Sequence, residues 1–301
     1  MLTACGADDN ETDTAAATPG PVVYVFGDSL SDTGNLGRPA TFSDDLPPPF
    51  YQNRISNGPV IVDYVAQALG RSVAASNYLS LDEEGTNYAI AGAQAYSDDV
   101  AIDLAAQISS FGTKNDDKAD PNAIYLIFIG GNDVIGAVGA GPEDQAELDL
   151  SASEIAKAVQ DLTAMGARRF FVLTVPDIGK TPKFINDTTA GAATRLAQAS
   201  SLTIGFNDSV RNKLAALPPS DASVEIIDVF AILNDVLARA VQLNYIDTTR
   251  ACYLTSELRF NDFCNETLIE GFAFFDEIHP SGSTHKFVGS EVAAQIINRL
   301  N

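Results

Sequence analysis

The sequence predicts an α/β fold built around a parallel sheet. Short apolar runs recur along the chain, stretches with helical spacing separate them, and the polar motifs of chemical interest begin where a run ends. In open parallel sheets ligands bind beyond the carboxyl ends of the strands, so a site on such a sheet would produce the third of these observations.

The first 21 residues stand apart from this pattern. Leu2-Thr3-Ala4-Cys5-Gly6 opens a polar tract, GADDNETDTAAATPG, that has small residues, no periodicity and the composition of a flexible tether. The pentapeptide resembles the lipobox of bacterial lipoproteins, whose cysteine is acylated and becomes the first residue. That resemblance implies export, a trimmed precursor and membrane anchoring through Cys5; the alternative is a tail on an ordinary secreted protein. Residues 22–301 are expected to form one domain with a sizeable core.

Within that domain the elements follow in order. Val22–Phe26 (VVYVF) reads as the first strand. PVIVDYVAQALG then sets Val60, Ile61, Tyr64, Val65, Ala68 and Leu69 on one helical face, with Pro59 in a first helical position after Asn57. Ala123–Ile129 (AIYLIFI) reads as the second strand. Ser153–Met165 places Ile155, Ala156, Val159 and Leu162 on one side of a helix that Gly166 ends. Phe170–Val175 and Val224–Phe230 supply two more strands, and His285–Leu300 a closing helix with Phe287, Val288, Val292, Ile296, Ile297 and Leu300 at helical intervals. The stretches 36–58 and 250–271 read as long loops, and loops of that length are usually functional. Cys252 and Cys264 lie in the second of them, where an exported protein would oxidise them to a disulfide.

Composition excludes some partners. Forty acidic side chains against 18 basic ones give a formal charge of −22, a field that repels nucleic acid and anionic membrane surfaces. The longest apolar run, AIYLIFI, falls well short of the roughly 20 residues of a membrane-spanning helix.

The chemistry concentrates in four short blocks. GDSLSDTGN, Gly27–Asn35, puts Ser29 on a sharp turn directly after the first strand. A serine hydroxyl attacks poorly unless a base takes its proton, and the chain has only two histidines, His279 and His285. His279 lies in DEIHP, three residues after Asp276, where a turn can bring the carboxylate to one ring nitrogen and leave the other for Ser29. A tetrahedral intermediate also needs donors for its oxyanion. The Asn132 amide in GGND, the Gly92 N–H in GTNYAIAGAQ and the N–H of Ser29 at a helix start are the candidates. Asp28, Asp32, Asp133 and Asp177 read as turn and helix-start residues. Phe50, Tyr51, Phe272, Phe274 and Phe275 read as core, with an apolar acyl site as the alternative.

Taken together, Gly27-Asp28-Ser29-Leu30, Asn87-Tyr88-Ala89-Ile90-Ala91-Gly92-Ala93, Gly130-Gly131-Asn132-Asp133 and Asp276-Glu277-Ile278-His279-Pro280 resemble the four blocks of the GDSL, or SGNH, hydrolases. The resemblance runs from about Val22 to the C-terminus and departs only at Ile90-Ala91. It implies a flavodoxin-like three-layer sandwich and hydrolysis of carboxylic esters through a covalent acyl-enzyme, without cofactor or metal. By position it makes Ser29 the nucleophile, His279 the base, Asp276 its partner, and Ser29, Gly92 and Asn132 the oxyanion donors. The implied partner is a small-molecule, lipid or acylated-sugar ester, so lipase, phospholipase or acyltransferase and carbohydrate O-deacetylase stay open. Ser29 sits in G-x-S-x-S and lacks the second glycine of the α/β-hydrolase elbow. A metal-dependent phosphoesterase is disfavoured by the two histidines, and a non-catalytic binding lipoprotein by the complete set of blocks.

Overall fold

The structure, a computed structural model, describes residues 19–36, 46–79, 84–97 and 102–300. Cys5 and nearly all of the expected tether lie outside the described residues. Strands β1 (Val23–Gly27), β2 (Ile124–Phe128), β3 (Arg169–Leu173) and β4 (Ser223–Ile227) form one parallel sheet in the order β1-β2-β3-β4. The expected strands are all present. The fourth is shorter than its apolar run, because Asp228 leaves the ladder and caps the next helix through the Ala231 N–H at 3.0 Å.

Between β1 and β2 come α1 (Ile61–Ala68) and α2 (Leu104–Lys114); between β2 and β3, α3 (Gly131–Ala137) and α4 (Pro142–Met165). A short α5 (Pro182–Ile185) and the long α6 (Ala192–Ala215) lead to β4, followed by α7 (Val229–Ala238). β5 (Asp247–Ala251), β6 (Tyr253–Leu254), β7 (Arg259–Phe260) and β8 (Phe272–Phe274) then precede α8 (Gly282–Leu300). Three boundaries correct the sequence reading. Helix α1 starts at Ile61 rather than Pro59, since Val60 is its N-cap and donates its own N–H to Asp63 at 2.8 Å. Helix α4 starts eleven residues earlier than Ser153, and α8 starts at Gly282.

Strands β1, β2 and β3 bury both faces, so successive side chains enter different cores. Phe26, Tyr125, Ile127, Phe170 and Val172 meet Ile108 and Phe111 of α2, Val159 and Leu162 of α4 and Phe206 of α6. Val25, Leu126, Phe128, Phe171 and Leu173 meet Val65 of α1, Leu233 of α7 and Val292 and Ile296 of α8. Helices therefore cover both faces of the sheet in three layers, the α/β architecture expected. Beyond β1 the segment 86–90 continues the sheet edge: Tyr88 N–H donates to Val25 O at 2.7 Å and Ile90 N–H to Gly27 O at 3.1 Å.

The stretch 250–271 holds more than a loop. β5 pairs with β8, β6 pairs with β7, and Cys252 and Cys264 are joined by a disulfide. Around it Tyr253, Ile269, Phe272 and Phe275 form a third buried cluster.

Candidate active site

Ser29 lies two residues past the end of β1, on a turn closed by Ser31 N–H and Asp32 N–H, which both donate to Asp28 O at 3.0 Å. The turn does not continue into a helix among the described residues, so the expected helix start, with its dipole, is corrected to a single turn. Gln107 of α2 holds the turn from below. Its Oε1 accepts the Gly27 N–H and its Nε2 donates to Gly27 O, both at 2.8 Å, and to Ile102 O at 3.1 Å. The side chain is wholly buried, and the sequence reading missed it.

On the other side of the site, β8 leads into a tight loop that carries Asp276 and His279. Phe275 N–H donates to His279 O at 2.9 Å, and Phe274 bridges Pro280, so residues 275–279 are held as a turn. Asp276 Oδ1 accepts the backbone N–H of Ile278 and of His279, at 2.9 and 2.7 Å. His279 Nδ1 stands 2.9 and 2.8 Å from the two Asp276 oxygens, and its Nε2 stands 2.8 Å from Ser29 Oγ. With the carboxylate accepting from Nδ1–H, Nε2 is left to accept from the serine hydroxyl. The structure therefore brings together the three residues that the sequence paired across 250 positions.

The remaining candidates lie around Ser29. Asn132 opens α3 and, with Ser29 and His279, lines one narrow cleft. Its position depends on Gly130, whose φ of +119° turns the chain out of β2; a Cβ there would fall 2.4 Å from the Phe206 ring. Asn132 Nδ2 donates one hydrogen to Ala93 O at 2.8 Å, leaving the second for a ligand and tying α3 to the loop of Gly92. Gly92 is exposed on that loop and does not line the cleft. The loop is tied to the serine turn by Asp32, which accepts the Ala91 N–H at 2.9 Å. Neither the Ser29 N–H nor the Gly92 N–H has a partner among the described residues.

Buried carboxylates surround the turn. Asp32 also accepts the N–H groups of Gly34, Asn35 and Leu36, Asp133 those of Ala95 and Tyr96, and Asp177 that of Gly179 and the Ser200 hydroxyl. These acids hold backbone, as the sequence suggests. Burial pushes Asp28 up to about 7, an effect its hydrogen bond from Leu30 N–H and the nearby His279 only partly offset. Burial also raises Asp32 and Asp133. Asp276 moves the other way: burial opposes its charge, but the imidazole and the backbone donors outweigh it and hold the carboxyl below its usual range. For His279 burial works downward, and the Asp276 charge and hydrogen bond reverse it to a net rise above 6.5. The second histidine, His285, is a core residue of α8. Both its ring nitrogens are buried without a partner among the described residues, and burial pushes it down to about 3, which keeps it neutral.

Of the five aromatics, Phe274 lines the cleft, Phe272 and Phe275 belong to the third core with Phe50 packed on them, and Tyr51 is partly exposed. They are core for the most part, the preferred of the two expectations.

A hydroxyl, an imidazole and a carboxylate in this sequence of contacts, at the carboxyl edge of a parallel sheet and beside free N–H donors, define a serine-hydrolase type of site. The chain belongs to the GDSL-like lipase/acylhydrolase family, whose model matches residues 23–292. It is similar to a GDSL esterase/lipase of Arabidopsis thaliana, 25% identical over 91% of this chain and 90% of the relative. It is also similar to Lipase 1 of Photorhabdus luminescens, 26% identical over 92% of this chain and 50% of that protein. Among solved structures the M. smegmatis aryl esterase in its inhibitor-bound form covers 93% of this chain and 99% of its own, with a TM-score of 0.47 at 14% identity.

The titration of His279 gives a testable pH dependence. A base must be neutral to accept a proton, and the folded pKa of His279 lies above 6.5, so activity is expected to be full above that pKa and to fall about tenfold per pH unit below it. Asp276→Asn removes the two larger interactions that raise His279 and leaves burial opposed only by the Asp28 charge, so the midpoint of log kcat/KM against pH should move down while the rate drops. A wild-type midpoint below about 6 would contradict the assignment.

Proposed function

We propose that the chain hydrolyses carboxylic esters through a covalent acyl-enzyme. The observation that carries this is the continuous chain of contacts from Asp276 through His279 to Ser29 Oγ, at 2.8 Å for each imidazole link. Ser29 Oγ attacks the ester carbon while His279 Nε2 takes the hydroxyl proton. The Ser29 N–H and the free Asn132 hydrogen, on residues that line the cleft, stabilise the negative oxygen, and the family pattern adds the Gly92 N–H from the adjoining loop. The imidazolium, steadied by Asp276, then gives its proton to the departing alkoxide, and the alcohol leaves. A water attacks the acyl-Ser29 carbonyl and gives its proton to His279, and collapse of that intermediate returns the proton to Ser29 and releases the acid.

The acyl chain is short in this reading. Leu30, Ile135, Ile178, Leu233, Phe274 and Ile278 close the cleft to about 30 Å³, which is far below the several hundred Å³ of a pocket for a large apolar ligand. Export also belongs to this reading. The Cys252–Cys264 disulfide supports an oxidising compartment, and acylation of Cys5 would anchor the chain there.

Three experiments follow. Ser29→Ala is expected to lower kcat by about 10⁴ to 10⁶ and to abolish labelling by a fluorophosphonate, and loss of the Asn132 amide in Asn132→Ala to lower kcat by about 10² to 10³; an active Ser29→Ala protein would refute the mechanism. In a series of 4-nitrophenyl esters, kcat/KM should be highest at about two to four acyl carbons. Leu233→Ala, which widens the cleft, should move that optimum to longer chains, and a native optimum at palmitate would overturn the short-chain reading. Expression in bacteria fed labelled fatty acid should place label on the full-length protein and not on Cys5→Ala; equal labelling of both would exclude the anchor.

A further inference from the structure

The start of α2 touches both the serine turn and the loop of Gly92. Ile102 lies beside that loop, where a Cβ on Gly92 would stand 4.0 Å from its Cδ1. Leu104 N–H donates to Gln94 O, two residues past Gly92, at 3.1 Å. Asp103 caps the helix by accepting the Ala106 N–H at 2.9 Å. Gln107 reaches the other way, to Gly27, two residues before Ser29. One turn further on, Phe111 fixes the helix against the sheet, its ring 5.0, 5.7 and 5.8 Å from those of Tyr24, Phe26 and Tyr88.

The bonds of Gln107 replace part of a ladder. Along the sheet edge Val25 makes both ladder bonds, donating to Thr86 O at 3.0 Å and accepting the Tyr88 N–H at 2.7 Å. A continued parallel ladder would send the Gly27 N–H to the carbonyl of residue 88 and the Ile90 N–H to Gly27 O. Only the second of these forms, at 3.1 Å. Gln107 Oε1 takes the Gly27 N–H instead, and Nε2 adds a second donor to Gly27 O. The remaining amide hydrogen goes to Ile102 O, so both are used. A side-chain amide thus stands in for a peptide group where the edge segment leaves β1 for Gly92. Gly27 itself has little room to shift, since a Cβ there would fall 2.3 Å from Phe128 O on β2. The same wholly buried amide therefore grips the backbone below Ser29 and the residue that touches the Gly92 loop.

We propose that Gln107 is a positioning residue of the reaction: its amide sets the spacing between the serine turn and the Gly92 loop, and with it the geometry of the oxyanion donors. The proposal rests on the assignment of Ser29 to ester hydrolysis. Gln107 acts through Gly27 and Ile102, so its loss falls on the transition state, where a misplacement of about 1 Å costs on the order of 100-fold.

The test uses the full chain and 4-nitrophenyl acetate. Active sites are titrated to completion with a fluorophosphonate, so that kcat is expressed per reactive Ser29 and unfolded protein does not count. Gln107→Met keeps the length and removes the amide. Gln107→Glu keeps an acceptor for the Gly27 N–H and gives up at least one donated bond. The expected result is a fall of about 10- to 100-fold in kcat per titrated site for Gln107→Met and a smaller fall for Gln107→Glu, with KM within about threefold of native in both. Affinity for an alkyl boronic acid, whose adduct with Ser29 is tetrahedral and anionic, should fall in step with kcat. A kcat per titrated site within about twofold of native in both variants would assign Gln107 to stability alone and overturn the proposal, as would a loss carried by KM. Where Gln107→Met yields no titratable sites, Gln107→Glu decides by the same measurements. A native protein that neither turns over 4-nitrophenyl acetate nor takes the fluorophosphonate overturns the hydrolase reading, and the proposal with it.

Discussion

The site depends on one packing interaction, that of α1 against α8. Ser29 belongs to the first strand and His279 to the approach to the last helix, and nothing local brings them together. Helix α1 follows the serine turn and α8 follows the histidine loop, so where these helices touch decides whether the imidazole reaches the hydroxyl. Their entry points meet at glycine on glycine: a Cβ on Gly58 would lie 2.9 Å from Gly282 Cα. Further along, Gly289 leaves room for Tyr64. Polar bonds set the register. Asn57 Oδ1 accepts the Gly282 N–H at 2.8 Å, and Ser56 Oγ donates to Pro280 O at 3.1 Å, next to His279. Val65, Val292 and Ile296 are wholly buried in this contact region, and burial of each contributes about 1.5–3 kcal/mol. The catalytic contact is thus a consequence of core packing at a distance from it.

Electrostatics then separates carboxylates that resemble one another in the sequence. Asp28, Asp32, Asp133 and Asp276 are all buried, yet only Asp276 is held below the usual range, because it alone is hydrogen-bonded to the imidazole as well as attracted by its charge. The others meet backbone donors, and in Asp28 the more distant imidazole charge, which compensate burial only in part. The contrast has a functional side. A carboxylate charge beside a developing oxyanion would oppose it, and Asp28, next to Ser29 in the cleft, is disposed by burial to stay protonated up to about pH 7. The two environments divide the work: one acid steadies an imidazolium, and the rest position loops.

Much of this was legible in the sequence for a physical reason. Strands buried on both faces read as continuous apolar runs, which is why VVYVF and AIYLIFI mark β1 and β2. The four motifs were legible because each needs a particular residue type at a turn. What escaped the reading lacked such a signature. The early turns of α4, EDQAELDL, carry too many polar residues to show a face, and the edge segment 86–90 is held by a few backbone bonds without being a regular strand. Gln107 sits at a helix position that an exposed residue would equally occupy, and its partner Gly27 is 80 residues away. The serine turn looked like a helix start because Asp and Ser suit both.

The stretch 250–271 shows why a long loop here is better understood as a small core of its own. Cys252, Tyr253, Ile269, Phe272 and Phe275 cluster around the disulfide, and Phe50 packs on Tyr253 and Phe275 with ring centroids at 5.7 and 5.2 Å. Phe275 immediately precedes Asp276. Its carbonyl accepts the Tyr253 N–H at 2.7 Å, and Phe274 O accepts the Cys252 N–H at 3.3 Å, so the backbone leading into the catalytic turn is gripped from behind. A triad member must be held within about half an ångström to be useful, and a loop without regular structure holds nothing that well unless it is packed. The aromatics that looked available for an acyl site are therefore mostly committed to this support. The cleft beside Ser29 is left with Phe274 and a few aliphatic side chains, and its narrowness follows from that commitment.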